Sequence, residues 1–131
     1  MKRLLSTLLL ACAASFAAAG QTYPSKPVQV IVPYSAGGPT DVLGRIIAKD
    51  FSEKLGEPFV VENKAGAAGN IGVDAIAKAK PDGYTLGIVP EGNIAVNPTL
   101  FTNLPYKASE LQPISMLAYV ENVLVVNPSS S

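Results

Sequence analysis

Short apolar runs alternate with amphipathic stretches along most of the chain. The run at residues 28–32 is rich in β-branched side chains and is followed by Pro33, which is the pattern of a short buried strand. Further on, large apolar residues recur every four positions and predict a helix with one apolar face. Pro39 suits the first turn of that helix and Gly56 suits its end. The residues of the apolar face are Leu43, Ile47, Phe51 and Leu55, with Ile46 beside them.

The same strand–helix unit is repeated further along the chain. Strand and helix then alternate with short loops, which predicts an α/β fold: a parallel sheet flanked by helices and joined by right-handed crossovers. The further predicted elements are strands at 58–63 and 84–89, a helix at 71–79, a short helical piece near 94–101, and two more strands at 114–118 and 123–126.

The N-terminal stretch has the three parts of a secretory signal peptide. A basic start at residues 1–3 precedes an apolar run that ends in small residues at 17–19. A transmembrane anchor is disfavoured because the run is shorter than the ~20 residues that span a bilayer. A lipoprotein signal with Cys12 modified is disfavoured because Leu10 is bulky for its position in such a signal. The apolar run also continues well past Cys12. We predict that residues 1–19 are cleaved near Ala19 and that residues 20–131 are exported.

The composition removes several classes of chemistry. The chain has no His and one Cys, which excludes Ser-His-Asp or Cys-His catalysis, His-ligated metals, Cys-rich zinc sites and an internal disulfide within these residues. Lys plus Arg number 10 and Asp plus Glu number 10, so no basic face for nucleic acid is indicated. We therefore predict no catalytic residue, metal, cofactor or nucleic-acid partner for this chain.

Three loops follow the carboxyl ends of the predicted strands, where ligands of open parallel sheets bind. They are residues 34–38, 64–70 and 90–93. In the first loop, Gly37 and Gly38 let the backbone approach a ligand, the following helix start presents free N–H groups, and Thr40 adds a hydroxyl. Such a site suits a carboxylate or a phosphate. The alternative is that the glycines only make a tight strand-to-helix connection, and the residues alone leave both interpretations open.

The second loop contains a glycine series, at 66, 69 and 72, that superficially resembles a dinucleotide fingerprint. The spacing is G-x-x-G-x-x-G instead of G-x-G-x-x-G, and the loop follows the second strand instead of the first. Close packing of the helix on the sheet is therefore the favoured interpretation.

A set of short motifs occurs in order along the whole mature chain. The motifs are YPSKP at 23–27, PYSAGGPTD at 33–41, VEN at 61–63, GNIG at 69–72, PDGYTL at 81–86, NP at 97–98, LPY at 104–106 and VLVVNP at 123–128. Together they resemble the Bug family, the periplasmic substrate-binding components of tripartite tricarboxylate transporters. The resemblance implies a type II periplasmic binding protein-like fold, in which two α/β lobes close on a small organic acid. It also implies delivery to the membrane subunits of the transporter, and we expect a monomer at full length.

Family members are roughly twice as long and have two lobes. We therefore expect residues 20–131 to form the first lobe only, and incompletely. An exported α/β enzyme with catalytic residues in a missing C-terminal half is the alternative. The absence of His and of any nucleophile–base pair favours the receptor.

In the family, the loop after the first strand holds a ligand carboxylate, largely through backbone groups and ordered water. Two of the candidate residues have a second interpretation. Asp41 suits a helix cap better than a contact to an anion, and Glu91 either faces the cleft, where it would repel a second carboxylate, or points into solvent. The predicted ligand-binding residues are Tyr34, Ser35, Ala36, Gly37, Gly38, Thr40, Asp41, Asn70, Glu91 and Asn93.

Overall fold

Three parallel strands form the sheet of the computed structural model, which describes residues 22–121 and 123–129. The central strand β1 (Val28–Val32) lies between β2 (Phe59–Asn63) and β3 (Thr85–Gly87), with Val28 opposite Phe59 and Gln29 opposite Thr85. The predicted parallel α/β architecture is confirmed. The predicted signal peptide, its cleavage at Ala19 and Cys12 lie outside the described residues.

The third strand is shorter than the predicted 84–89. Its ladder to β1 runs only from Gln29 to Ile31, because β1 itself ends before Pro33. Beyond the strand, Ile88 still donates its N–H to the carbonyl of Ile31 at 3.0 Å. The chain therefore leaves the sheet immediately before Pro90.

Helix α1 (Pro39–Leu55) connects β1 to β2 and begins and ends where the sequence predicts. Gly38 is its N-cap, and Gly56 adopts the left-handed conformation, φ +80°, that ends the helix. The predicted apolar face is wrong at Ile46 and at Leu55, which are 61% and 46% exposed. The buried positions are small: a Cβ on Gly44 would lie 2.9 Å from Cγ2 of Val32. The helix contacts the sheet through its small residues Gly44 and Ala48, and half-buried large side chains lie on either side of them. A prediction based on large apolar residues therefore assigns the wrong face of the helix to the sheet.

Helix α2 (Asn70–Ala77) follows a 3₁₀ turn at Ala67–Gly69 and packs on the other face of the sheet. A Cβ on Gly72 would lie 2.6 Å from Cα of Pro33. This distance confirms that Gly72 allows close packing of the helix, as the sequence analysis favoured. The core between α1 and the sheet is built from Val28, Val30, Ala48 and Phe59.

A π-helical segment (Gly92–Val96) and α3 (Asn97–Leu100) match the predicted helical piece. The strands predicted at 114–118 and 123–126 are wrong, since neither segment is a strand. Ile114 is 81% exposed and Leu124 is 94% exposed. A strand requires a hydrogen-bonded neighbour, and no ladder joins these segments to the sheet within the described part of the chain. An apolar run shows that a segment has side chains suited to burial, but it does not show that a neighbouring strand is present to pair with it.

Candidate functional site

The three loops at the carboxyl edge of the sheet meet at one buried side chain. Asn93, which is 1% exposed, accepts a hydrogen bond from the hydroxyl of Tyr34 at 2.9 Å through Oδ1. Its Nδ2 donates to the carbonyl oxygen of Ala68, also at 2.9 Å. One amide therefore joins the loop after β1, the loop after β2 and the segment after β3.

An open pocket of about 460 Å³ lies above this junction, at the N-terminal end of α1. Among the described residues, no Lys, Arg, Asp or Glu lines it. Within this part of the chain, the groups suited to contact a charged ligand are backbone N–H groups and hydroxyls. The lining residues are Tyr34, Ser35, Ala36, Gly38, Pro39, Thr40 and Pro90.

The first turn of α1 begins at this pocket, which Gly38, Pro39 and Thr40 help to line. The N-cap Gly38 has no side chain to satisfy the first-turn N–H groups, and the first intrahelical bond runs from Val42 N–H to Gly38 O at 3.0 Å. Among the residues that the structure describes, the N–H groups of Thr40 and Asp41 have no backbone partner. A helix N-terminus carries roughly half a positive charge. The pocket is thus chemically suited to an anion such as a carboxylate.

Asp41 lies beneath the loop and is 2% exposed. Its Oδ2 accepts hydrogen bonds from Arg45 Nε at 2.9 Å and from Gly37 N–H at 2.8 Å, and its Oδ1 accepts one from Asn63 Nδ2 at 2.9 Å. The hydrogen bonds from Arg45, from Gly37 and from Asn63, in that order, hold the pKa of the Asp41 carboxyl well below its usual range.

This geometry resembles the predicted cap but differs in one respect. Asp41 accepts from Gly37, the residue before the N-cap, and so fastens the glycine turn as well as the helix start. Both carboxylate oxygens already have donors from the chain itself. A direct contact between Asp41 and a ligand stays a prediction.

Two residues of this cluster, Asn63 and Arg45, were not among the predicted site residues. Asn63 Nδ2 also donates to the carbonyl oxygen of Tyr34 at 3.0 Å, so the last residue of β2 supports the first loop from behind. A signal for both was present in the sequence. Asn63 stands at the carboxyl end of a predicted strand, and Arg45 stands four positions after Asp41, the spacing of a helical ion pair.

Asn70 belongs to a buried network behind the pocket. Its Oδ1 accepts from Asn97 Nδ2 at 2.6 Å and lies 3.1 Å from the hydroxyl of Tyr106. That hydroxyl is also 2.7 Å from the carbonyl oxygen of Asn93. Asn97 and Tyr106 were not predicted as site residues, although both stand in motifs of the family resemblance. Like Asn93, Asn70 supports the loops in this arrangement, and its contact to a ligand stays a prediction.

Glu91 is exposed and does not line the pocket, although its neighbour Pro90 does. This position agrees with the solvent-facing alternative for the chain as described, while a role opposite a second lobe stays a prediction. Gly37 also lies outside the pocket lining, and its N–H donates to Asp41 Oδ2, so its contact to a ligand stays a prediction.

No group of three or more Cys, Asp or Glu side chains that could hold a metal ion occurs in the described ranges, 22–121 and 123–129. Over the same ranges, no helix has both the length and the apolar character needed to cross a membrane.

A parallel three-stranded sheet flanked by helices is the fold that this chain shares with solved periplasmic binding proteins such as BugD, at 43% identity and a TM-score of 0.61. Residues 43–131 match the model of the tripartite tricarboxylate transporter family receptor. The chain belongs to this family.

Individual proteins show the same relationship. BugT of Bordetella pertussis is 45% identical over 133 residues, which cover 98% of this chain and 41% of BugT. MatC from Rhodopseudomonas palustris, solved with bound malate, is 35% identical with a TM-score of 0.69, covering 72% of this chain and 33% of MatC. An R. palustris protein solved with adipate is 38% identical with a TM-score of 0.64, covering 66% of this chain and 29% of its own. The chain therefore spans less than half the length of each of these three proteins.

Proposed function

We propose that the full-length protein is a periplasmic receptor that binds a small organic acid between two lobes. We further propose that it acts as a monomer and delivers the acid to the membrane subunits of a tripartite tricarboxylate transporter. The observation that carries this proposal is the pocket at the start of α1, which has free N–H donors and no charged lining residue. The malate and adipate named for two similar structures are both dicarboxylates.

In this site, one carboxylate of the acid accepts hydrogen bonds from the first-turn N–H groups of α1. Gly38 allows its approach because no side chain covers the backbone there, and two hydroxyl-bearing residues, Ser35 and Thr40, are also among the lining residues. Backbone donors fixed by a helix need little reorganisation when an anion binds. Recognition through them does not require a Lys or Arg.

The supporting residues keep this loop in its binding geometry. Asp41 and Asn63 hold the turn from below, while Asn93 holds the ring of Tyr34 at the pocket wall. Asn70 reinforces the same junction through Tyr106. We therefore assign the direct contacts to Tyr34, Ser35, Ala36, Gly38 and Thr40, and a supporting role to the buried polar residues.

The proposal also includes export of the protein and the absence of catalysis. The similar proteins are solute-binding receptors, and we propose that this protein is exported after removal of residues 1–19. N-terminal sequencing of the periplasmic form tests the export: a start near residues 20–23 is expected, and a diacylated Cys12 would contradict it.

Titration calorimetry on the full-length protein tests the function. Malate, adipate, succinate, citrate and the amide-capped forms of these acids form the panel, and recovered acid is analysed after long incubation. Saturable binding of at least one free acid, weaker binding of its capped form and unchanged recovered acid are expected. Conversion of the acid would favour the enzyme alternative, and no binding across the panel would contradict the receptor.

A further inference from the structure

One negative charge lies next to the anion site. Asp41 is the third residue of α1, directly after the lining residues Gly38, Pro39 and Thr40. Its side chain turns towards the helix N-terminus, where it accepts from Gly37 N–H. A carboxylate at this position interacts with the same partial positive charge that a bound acid would use. Uncompensated, it would also repel that acid.

Arg45 supplies the compensating charge. Its Nε lies 2.9 Å from Asp41 Oδ2, and its Nη2 donates to Asn63 Oδ1 at 3.1 Å. Among the described residues, Arg45 is the only cationic side chain that forms an ion pair with Asp41. The pair presents no net charge to the pocket. Asp41 can therefore accept the hydrogen bonds from Gly37 and Asn63 that fasten the loop without adding a net negative charge beside the pocket.

We propose that Arg45 is a specificity-determining positioning residue, which acts through Asp41 to let the pocket accept an anion. This inference rests on the proposed function. Arg45 does not line the pocket, and its side chain is 54% exposed, so its influence is electrostatic and indirect. Without it, Asp41 stays ionised because Gly37 and Asn63 still donate to it. The acid then binds against a like charge.

The test compares two single-charge changes on one helix of the full-length protein. Arg45→Met removes the partner of Asp41, and Lys49→Met removes an exposed cation that pairs with Glu53 at 3.9 Å. With malate and adipate as probes in about 0.1 M salt, we expect Arg45→Met to raise Kd about tenfold. Lys49→Met should leave Kd unchanged within about twofold.

Binding in high salt and a second-site variant distinguish electrostatic repulsion from distortion of the loop. In about 1 M salt the Debye length falls to roughly 3 Å, so a repulsive defect shrinks, whereas a distorted loop would bind poorly at any salt. Asp41→Asn combined with Arg45→Met should bind more tightly than Arg45→Met alone, because the repelling charge is gone and the amide oxygen can still accept from Gly37 N–H. Arg45→Lys should bind better than Arg45→Gln, which provides a second comparison if Arg45→Met folds poorly.

The outcomes are distinguishable from failure of the proposed function. Wild-type protein that binds none of the acids contradicts the receptor proposal, and this inference with it. Wild-type protein that binds, with Arg45→Met equally tight, overturns this inference alone. A defect that persists in high salt and in the double variant also overturns it, since that defect would be structural.

Discussion

The hydroxyl of Tyr34 donates to Oδ1 of Asn93 across 2.9 Å, although the two residues are 59 positions apart in the chain. This bond joins the loop after the central strand to the segment after β3. Asn93 continues the connection to Ala68 in the remaining loop. The pocket wall is therefore held by one amide with a partner on each side, and loss of that amide should affect more than one loop.

Asn93→Ala is expected to lower the free energy of unfolding by about 2 kcal/mol, because Tyr34 and Ala68 both lose a buried partner. Tyr34→Phe removes one of these bonds and leaves the other, so its expected loss is about 1 kcal/mol. Urea unfolding of both variants and of their combination measures the coupling. Fully additive losses would show that the Tyr34–Asn93 bond does not stabilise the fold.

Gly38→Val should abolish binding of an organic acid while leaving the fold intact. The backbone at Gly38 is extended, φ −77° and ψ 168°, and tolerates a side chain, and a Cβ would lie an ordinary 3.6 Å from the Ser35 carbonyl oxygen. The added methyl groups would instead occupy the pocket that Gly38 lines. Gly38→Ala is the graded control and should bind with intermediate affinity. Calorimetry and circular dichroism on the full-length protein measure both effects, and undiminished affinity in Gly38→Val would remove this loop from the site.

The local sequence pattern was sufficient to predict the strand, the turn and the helix start that form the candidate site. The β-branched run at Val28–Val32 predicted the central strand, and Gly37-Gly38 with Pro39 predicted the turn and the helix start, from neighbouring residues alone. The same residues left open whether that turn binds a ligand. The face of α1 was misjudged because Gly44 and the other small inward residues carry little hydrophobic signal.

The supporting polar residues and the missing strands depend on distant partners. Asn63 has a supporting role because it contacts Asp41, which is 22 positions away in the chain. Tyr106 likewise contacts Asn70, which is 36 positions away. No periodicity encodes such pairs. The apolar run around Leu124 was likewise interpreted as a strand from its composition, whereas a strand is defined by a neighbour.

Gly72→Ala should destabilise the fold by about 2 kcal/mol, since its Cβ would press on Pro33 and on the backbone oxygen of Lys64, at 2.6 and 2.7 Å. Gly92→Ala is the matched control, because a Cβ there meets no atom within 4 Å. Its stability should be unchanged or raised by up to about 1 kcal/mol. Thermal and urea unfolding of the two variants tests the comparison. Equal behaviour would contradict close packing of α2 on the sheet.

Acid should weaken the fold through Asp41. Its pKa is lower in the folded protein than in the unfolded chain, so its contribution to stability is fully present above the unfolded value of about 3.9. That contribution is lost as pH falls below this value towards the folded pKa. Unfolding curves from neutral pH down to about 3 should therefore fall more steeply for wild type than for Asp41→Asn. Asp50→Asn, which removes an exposed partner of Lys54, is the control and should follow the wild type. Parallel curves for wild type and Asp41→Asn would contradict the assignment.

Residues 20–131 alone should bind organic acids weakly and should self-associate. Residues 114–126 carry large apolar side chains that are mostly exposed, with Leu124 at 94%, and the edge strand β2 exposes Val60 at 55%. Exposed apolar segments and open strand edges favour association, and a pocket open to solvent weakens the backbone dipoles that would hold an anion. A chain of residues 20–112 lacks the exposed segment and should associate less, while the full-length protein should bind and remain monomeric. Light scattering, dye binding and calorimetry compare the three. If residues 20–131 are monomeric, unfold cooperatively and bind an organic acid at micromolar level, a second lobe is not required for the site.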